Sequence, residues 1–130
     1  LCTAHLFMFG TEAQRQRYIP DLAAGRTIGA WGLTESTSGS DAAGMRTQAS
    51  RVGDGWEITG AKSFTTHGRV GHVMVVMAVT DKAAGAKGVS AFVVDRGTPG
   101  MTAGRKEDKL GMRASDTSEV LFERCRVPGD

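Results

Sequence analysis

The chain has 130 residues, 40% of them hydrophobic and 23% charged, with a net charge of +2, which is the make-up of one ordinary globular domain. Its lysines and arginines are spread along the sequence rather than clustered, which argues against a nucleic-acid groove, and no apolar run approaches the roughly 18 residues of a membrane span. Two cysteines at opposite ends, Cys2 and Cys125, make no disulfide framework and fit a reducing compartment.

The chain opens with Leu1 ahead of an apolar run, Leu6-Phe7-Met8-Phe9, and stops just after a strand-like stretch, so a piece of a longer protein is expected. Thr11 with Gln14 three residues on makes a capping box for a short helix near Glu12–Tyr18. Pro20 is expected to end or kink that helix, and Gly25 to terminate it. The apolar residues of this front piece, Leu6, Phe7 and Phe9, call for a surface to lie on. After Gly25 the pattern changes. "TIGAWGLT" reads as a strand and is followed by a polar loop. "RTQASRV" alternates and runs into "GDG", a tight-turn signal. "WEITG" and "AKSFTT" read as two strand stretches parted by Gly60-Ala61, and "HVMVVMAVT" as a strongly apolar strand. "DKAAGAKG" reads as a flexible loop, "VSAFVVD" as a strand, "RGTPG" as a turn and "MTAGRKED" as a weaker strand. "SEVLFERCRV" closes the series with Val120, Phe122 and Cys125 inward. Short strands with glycine-rich turns at intervals of about 8–12 residues predict an antiparallel β-barrel or sandwich, here from about Thr27 to Val127. The expected organisation is a helical piece over 1–25 and a β domain over 26–130.

The usual phosphate-cradling and metal-binding patterns are missing. No Gly-x-Gly-x-x-Gly opens a helix and no Gly-Lys-Ser/Thr occurs, so a nucleotide cofactor would have to be held by strand ends and loops. His67 and His72 are spaced to fall on opposite faces of a strand, with no carboxylate or thiolate at ligand spacing, and no metal site is expected. Glu107-Asp108, flanked by lysines, reads as a solvated turn. Two segments remain. "WGLTESTSGSDAAG" brings Trp31, Gly32, Leu33 and Thr34 to a strand end, adds the hydroxyls of Ser36, Ser38 and Ser40, and has Gly39 and Gly44 where a backbone could approach a ligand closely. "GAKSFTTHG" repeats the design with Phe64, Thr65 and Thr66. An aromatic wall with hydroxyl and amide donors in its plane is what a planar heterocycle needs. By composition alone an ordinary polar loop and a binding loop both fit.

Taken in order, "WGLTESTSGSD", "ITGAKSFTTHG", "GVSAFVVDRGTPG" and "DKLGMRASDTSEVLFERCRVP" closely resemble the acyl-CoA dehydrogenases, from about residue 11 to the end, with the last block most similar to branched-short-chain and isovaleryl-type members. The resemblance implies a central β-barrel domain preceded by the last helix of a helical N-terminal domain, a further C-terminal helical domain outside this chain, and a homotetramer. It implies FAD as cofactor and an acyl-CoA as substrate. A base removes a proton α to the thioester carbonyl, the β-hydrogen leaves as hydride to flavin N5, and electrons pass on to an electron-transferring flavoprotein. The location implied is cytoplasmic in a bacterium and the mitochondrial matrix in a eukaryote.

Residue by residue, the resemblance gives the flavin Trp31, Gly32, Leu33, Thr34, Gly39 and Ser40 from the first segment and Phe64, Thr65 and Thr66 from the second. Leu33 and Thr34 would meet the pyrimidine edge, Phe64 would wall the ring, and Thr66 would place its hydroxyl near N5. Ser40, Ala86 and Lys87 would contact the acyl-CoA. The sequence departs from the family pattern in three ways. Phe64-Thr65 replaces Trp-Ile, His67 replaces Asn, and "ESTSG" lacks the proline after Glu35, which predicts a looser loop. Arg113 reads as an organiser of its own turn. The family's base is a glutamate of the C-terminal helical domain, so none is assigned here, and nothing in the sequence places Glu35 at an α-carbon. The rival readings are a related flavoprotein, such as an acyl-CoA oxidase or a nitroalkane oxidase, and a non-catalytic binding protein of the same fold.

Overall fold

The computed structural model describes residues 1–129. Two helices lead. α1 (Cys2–Phe9) turns Cys2 and Leu6, one helical turn apart, inward and leaves Phe7 and Phe9 in solvent. Of the three apolar residues expected to need a surface, only Leu6 finds one. α2 (Glu12–Ala23) begins on the expected capping box: the Thr11 hydroxyl accepts from Gln14 N, and the Gln14 side chain accepts from Thr11 N. It does not stop at Pro20. The helix runs on to Ala23, because the proline's missing N–H falls on an exposed turn. Arg17 pairs with Asp95 at 2.6 Å and ties α2 to the sheet.

Seven strands form one curled sheet: β1 (Gly29–Gly32), β2 (Gln48–Val52), β3 (Gly55–Thr66), β4 (Val73–Val79), β5 (Val89–Asp95), β6 (Met101–Lys106) and β7 (Thr117–Val127). Most neighbours are antiparallel, as predicted. The exceptions are the two partners along one edge of β4, both parallel to it: β1, with Gly29 opposite Val73 and Gly32 opposite Val76, and then β2, where Gln48 meets Val79. "WEITG" and "AKSFTT" are one twelve-residue strand rather than two. The "GDG" signal is the two-residue turn of the β2–β3 hairpin, with Gly53 at φ +63°, a conformation that favours glycine. "DKAAGAKG" is not a free loop but a run of 3-10 turns, opened by Asp81 accepting from Ala83 N. His67 and His72 sit in the turn between β3 and β4, not on a strand.

The concave face holds the main core, which includes Ile58, Met74, Val76, Phe92, Val94, Val120, Phe122 and Cys125. A smaller cluster on the other face joins Cys2 and Leu6 of α1 to Val73 and Val75 of β4. β4 is therefore buried on both faces, which accounts for its unbroken apolar sequence. Val120, Phe122 and Cys125 all point inward as expected. The step of three between the last two is a β-bulge. The β3–β7 register shifts between Ile58 and Gly60, and Arg124 on β7 takes φ +52°.

Candidate functional site

The second half of β3 passes beside the end of β1, and this brings the two polar segments together. Ser63 N donates to Thr34 O at 2.7 Å, and farther along the His67 ring lies 3.4 Å from Gly29 O. A second bulge sits where they meet: the register with β7 shifts between Lys62 and Thr65, and Phe64 takes φ +51°. A bulge re-aims side chains. Here it turns the Phe64 ring out of the sheet, where it is 64% exposed. Thr66 is exposed beyond it, Leu33 and Thr34 are half-buried, and Thr65 points inward with its hydroxyl buried and unpartnered.

The remaining residues of the first segment divide. Gly32 is buried, and a Cβ there would run into Met74 Cε and approach Lys62 Cγ at 3.1 Å. Its smallness serves the packing beneath it. Trp31 packs toward α1 with its ring 5.5 Å from that of His5, and its indole N–H is buried without a partner. Gly39 and Ser40 are exposed on the loop that follows. Ala86 and Lys87 are exposed on the turns after β4. Because β1 and β4 are parallel, these turns leave the sheet at the same end as residues 33–40.

Beneath this site lies an ion pair that sequence reasoning missed. Lys62, fully buried, donates from Nζ to Glu35 Oε1 at 2.7 Å and to Leu33 O at 3.1 Å, with Met45 Sδ at 3.9 Å. Glu35 also accepts from Arg46 N at 2.6 Å and Thr47 N at 2.9 Å. Burial by itself would raise the Glu35 carboxyl. The Lys62 ammonium and the amide donors outweigh that and hold it below the usual carboxylate range. Burial pulls the Lys62 ammonium down against the opposing pull of Glu35. The polar loop is consequently fastened at its neck, with Glu35 N donating to Ser38 O at 2.9 Å and the buried Ser38 hydroxyl donating to Asp41 O at 2.6 Å. Where the proline is missing, these side-chain bonds supply a constraint at the neck of the loop. Glu35 is wholly engaged in this role. One signal could have revealed Lys62: the period-two run Ile58, Gly60, Lys62 puts the lysine on the inward face of β3.

Arg113 donates from Nε to Lys109 O at 2.7 Å, organising its turn as expected. Among the described residues no group of histidine, cysteine and carboxylate side chains could hold a metal ion, and no helix is long and apolar enough to cross a membrane. A groove of about 460 Å³ lies between the helices and the sheet, with His5, Phe9, Tyr18, Trp56 and Phe92 in its lining and no residue of the two segments among them.

The fold and site define a β domain that presents two polar segments and an outward aromatic at one edge. Residues 30–125 match the family model for the acyl-CoA dehydrogenase middle domain, and the chain belongs to that family. It is 42% identical over its whole length to a short-chain-specific acyl-CoA dehydrogenase of Megasphaera elsdenii, covering 34% of that protein. It is 44% identical over 98% of its length to a mitochondrial isovaleryl-CoA dehydrogenase of Oryza sativa subsp. japonica, covering 31% of that protein. The solved structure of a glutaryl-CoA dehydrogenase from Mycobacterium smegmatis in complex with FADH2 superposes with a TM-score of 0.92 at 41% identity, over 99% of this chain and 32% of that one. The chain thus spans about a third of the relatives it matches.

Proposed function

We propose that the chain is the FAD- and acyl-CoA-binding middle part of an acyl-CoA dehydrogenase. The observation that carries this is the outward Phe64 ring beside the Ser63–Thr34 link, which joins two segments far apart in sequence into one edge. The donor set fits a flavin. Phe64 offers an apolar wall. Leu33 and Thr34 offer backbone and hydroxyl groups in a half-buried strip, and Thr66 an exposed hydroxyl. When bound, FAD supplies the hydride acceptor for α,β-dehydrogenation of the acyl-CoA.

Phe64 would cover one face of the flavin and exclude water there. Leu33 and Thr34 would hold its pyrimidine edge. Thr66 would offer its hydroxyl as a donor toward the reacting edge, and a donor placed in advance where charge develops lowers a barrier. Ser40, Ala86 and Lys87 leave the sheet at one end and would meet the CoA ester. No base is assigned to this chain, because Glu35 is held by Lys62 and two amides. The base belongs to a helical domain following residues 26–130, and residues 1–25 close a helical domain before them. The whole protein would be a homotetramer that passes electrons to an electron-transferring flavoprotein. It would work in the cytoplasm of a bacterium or the mitochondrial matrix of a eukaryote.

The test is anaerobic. The native protein that carries this sequence is purified, its visible spectrum recorded, and acyl-CoA esters of several chain lengths added. Bleaching of a flavin band supports the reading. A protein that takes up no flavin refutes it, and a flavoprotein that no acyl-CoA bleaches refutes the dehydrogenase activity.

A further inference from the structure

The position of Lys62 points to a role beyond stabilising the fold, one that rests on the flavin reading above. A trans peptide points its carbonyl and its N–H in opposite directions, and there is no cis peptide bond among the described residues. Lys62 Nζ, wholly buried, holds the Leu33 carbonyl at 3.1 Å. The N–H of the same peptide belongs to Thr34, and so it faces away from the buried ammonium. One peptide later, Ser63 N holds the Thr34 carbonyl at 2.7 Å, and the N–H of that peptide, on Glu35, is spent on Ser38 O at 2.9 Å. Both peptide planes are thereby fixed, and the N–H of the second is already taken by Ser38 O. The Lys62 stem reaches this position because Gly32 above it has no side chain: a Cβ there would lie 3.1 Å from Lys62 Cγ. Glu35 anchors the ammonium from the far side at 2.7 Å.

We propose that Lys62, anchored by Glu35, is a positioning residue that turns the Leu33–Thr34 peptide so that the Thr34 N–H presents itself to the flavin. An ammonium on the carbonyl side also polarises the peptide and strengthens its N–H as a donor. Flavin affinity and the flavin's redox properties then depend on Lys62 even though it never touches the ring.

The experiment separates this from a purely structural role. In the native protein, Lys62→Met leaves Glu35 buried without its counter-charge, so loss of fold is expected to confound that variant. The double variant Glu35→Gln/Lys62→Met leaves no unpaired charge but also no hook on the Leu33 carbonyl. Its urea midpoint is expected to recover part of the way to the parent's, the remainder lost because a glutamine amide cannot accept from both Arg46 N and Thr47 N. Its FAD dissociation constant is expected to stay up to about tenfold weaker, the loss of one well-placed N–H bond from Thr34 to the flavin, and its flavin midpoint potential to stay lowered. Recovery of affinity and potential together with stability overturns the proposal. A second measurement needs no variant: hydrogen exchange of the segment 31–35 in the parent, with and without FAD. Slowed exchange at Thr34 is expected, and exchange unchanged by saturating FAD overturns the proposal. A parent protein that takes up no FAD at all overturns the flavin reading itself, an outcome distinct from either.

Discussion

Phe64 is a bulky residue held at φ +51°, and its backbone and side chain give opposing terms that can be measured. A left-handed conformation costs a residue with a Cβ roughly 1–2 kcal/mol. The ring is 64% exposed, so only about a third of its burial is at stake, on the order of 0.5–1 kcal/mol of the 1.5–3 for a fully buried side chain. Phe64→Ala loses that burial and keeps the strain. Phe64→Gly loses the same burial and sheds the strain, offset by roughly 0.5–1 kcal/mol of added chain entropy. The glycine variant is therefore expected to be the more stable of the two, by about 1 kcal/mol and at most about 1.5, the reverse of the usual order in a strand. Urea unfolding followed by tryptophan fluorescence reads this directly. With a slope of about 1–3 kcal/mol/M, 1 kcal/mol moves the midpoint by ~0.3–1 M. An alanine variant equal to or more stable than the glycine variant would refute the reasoning. Both variants should bind FAD more weakly than the parent, since both lose the ring.

Thr66→Ala in the native protein should slow flavin reduction more than it weakens substrate binding, by up to about 2–4 kcal/mol if the hydroxyl meets developing charge; stopped-flow reduction at saturating acyl-CoA checks it, and an unchanged rate removes Thr66 from the mechanism. Glu35 has its carboxyl held below its ordinary value of 4.5, so the unfolded chain binds the extra proton first. The pair's stabilisation is whole above that value and is lost as pH falls through the folded-state pKa; Glu35→Gln should flatten this acid limb in denaturant titrations below pH 4.5. Cys125 is fully buried, with burial pushing its thiol up to about 11, and the Cys2 thiol is raised for the same reason. Neither should react with a thiol reagent near neutral pH until urea unfolds the chain, and prompt labelling of the folded protein would contradict that burial.

Local chemistry made much of the chain legible. Thr11 and Gln14 announce α2 because a capping box is completed within four residues. Val120 and Phe122 declare their face because strand side chains alternate. The two polar segments stand out by the residue types they share, and the Ser63–Thr34 bond joins them. What stayed hidden depends on distant partners. Alternation along β3 can place Lys62 on the inward face, but nothing local names the counter-charge that makes this tolerable: Glu35, on another segment, comes within 2.7 Å. The parallel placement of β1 on β4 leaves no mark in either strand's sequence, since a two-sided buried strand such as β4 suits either direction. Pro20 misled because a proline's cost depends on whether the hydrogen bond it forgoes matters at its position, and exposure there is a tertiary property.

The pairing of β3 with β7 also sets a timetable for making the protein. Trp56 meets Val127 and Thr66 meets Thr117, so on the ribosome β3 waits for roughly 50–70 more residues, about 3–14 s at 5–20 residues per second, before its second neighbour exists. Its hairpin with β2 can close at once, being local. Its other edge stays open, and an open edge invites mispairing with neighbouring chains. Lys62 lies opposite Val120 in that late pairing. Every group that holds its ammonium lies in residues 33–45 and is made before β3 is complete, so the ion pair can form without β7. Closure of the sheet is a later and separate event, and the edge formed by Thr34 and Ser63 can be assembled from the first half of the chain alone.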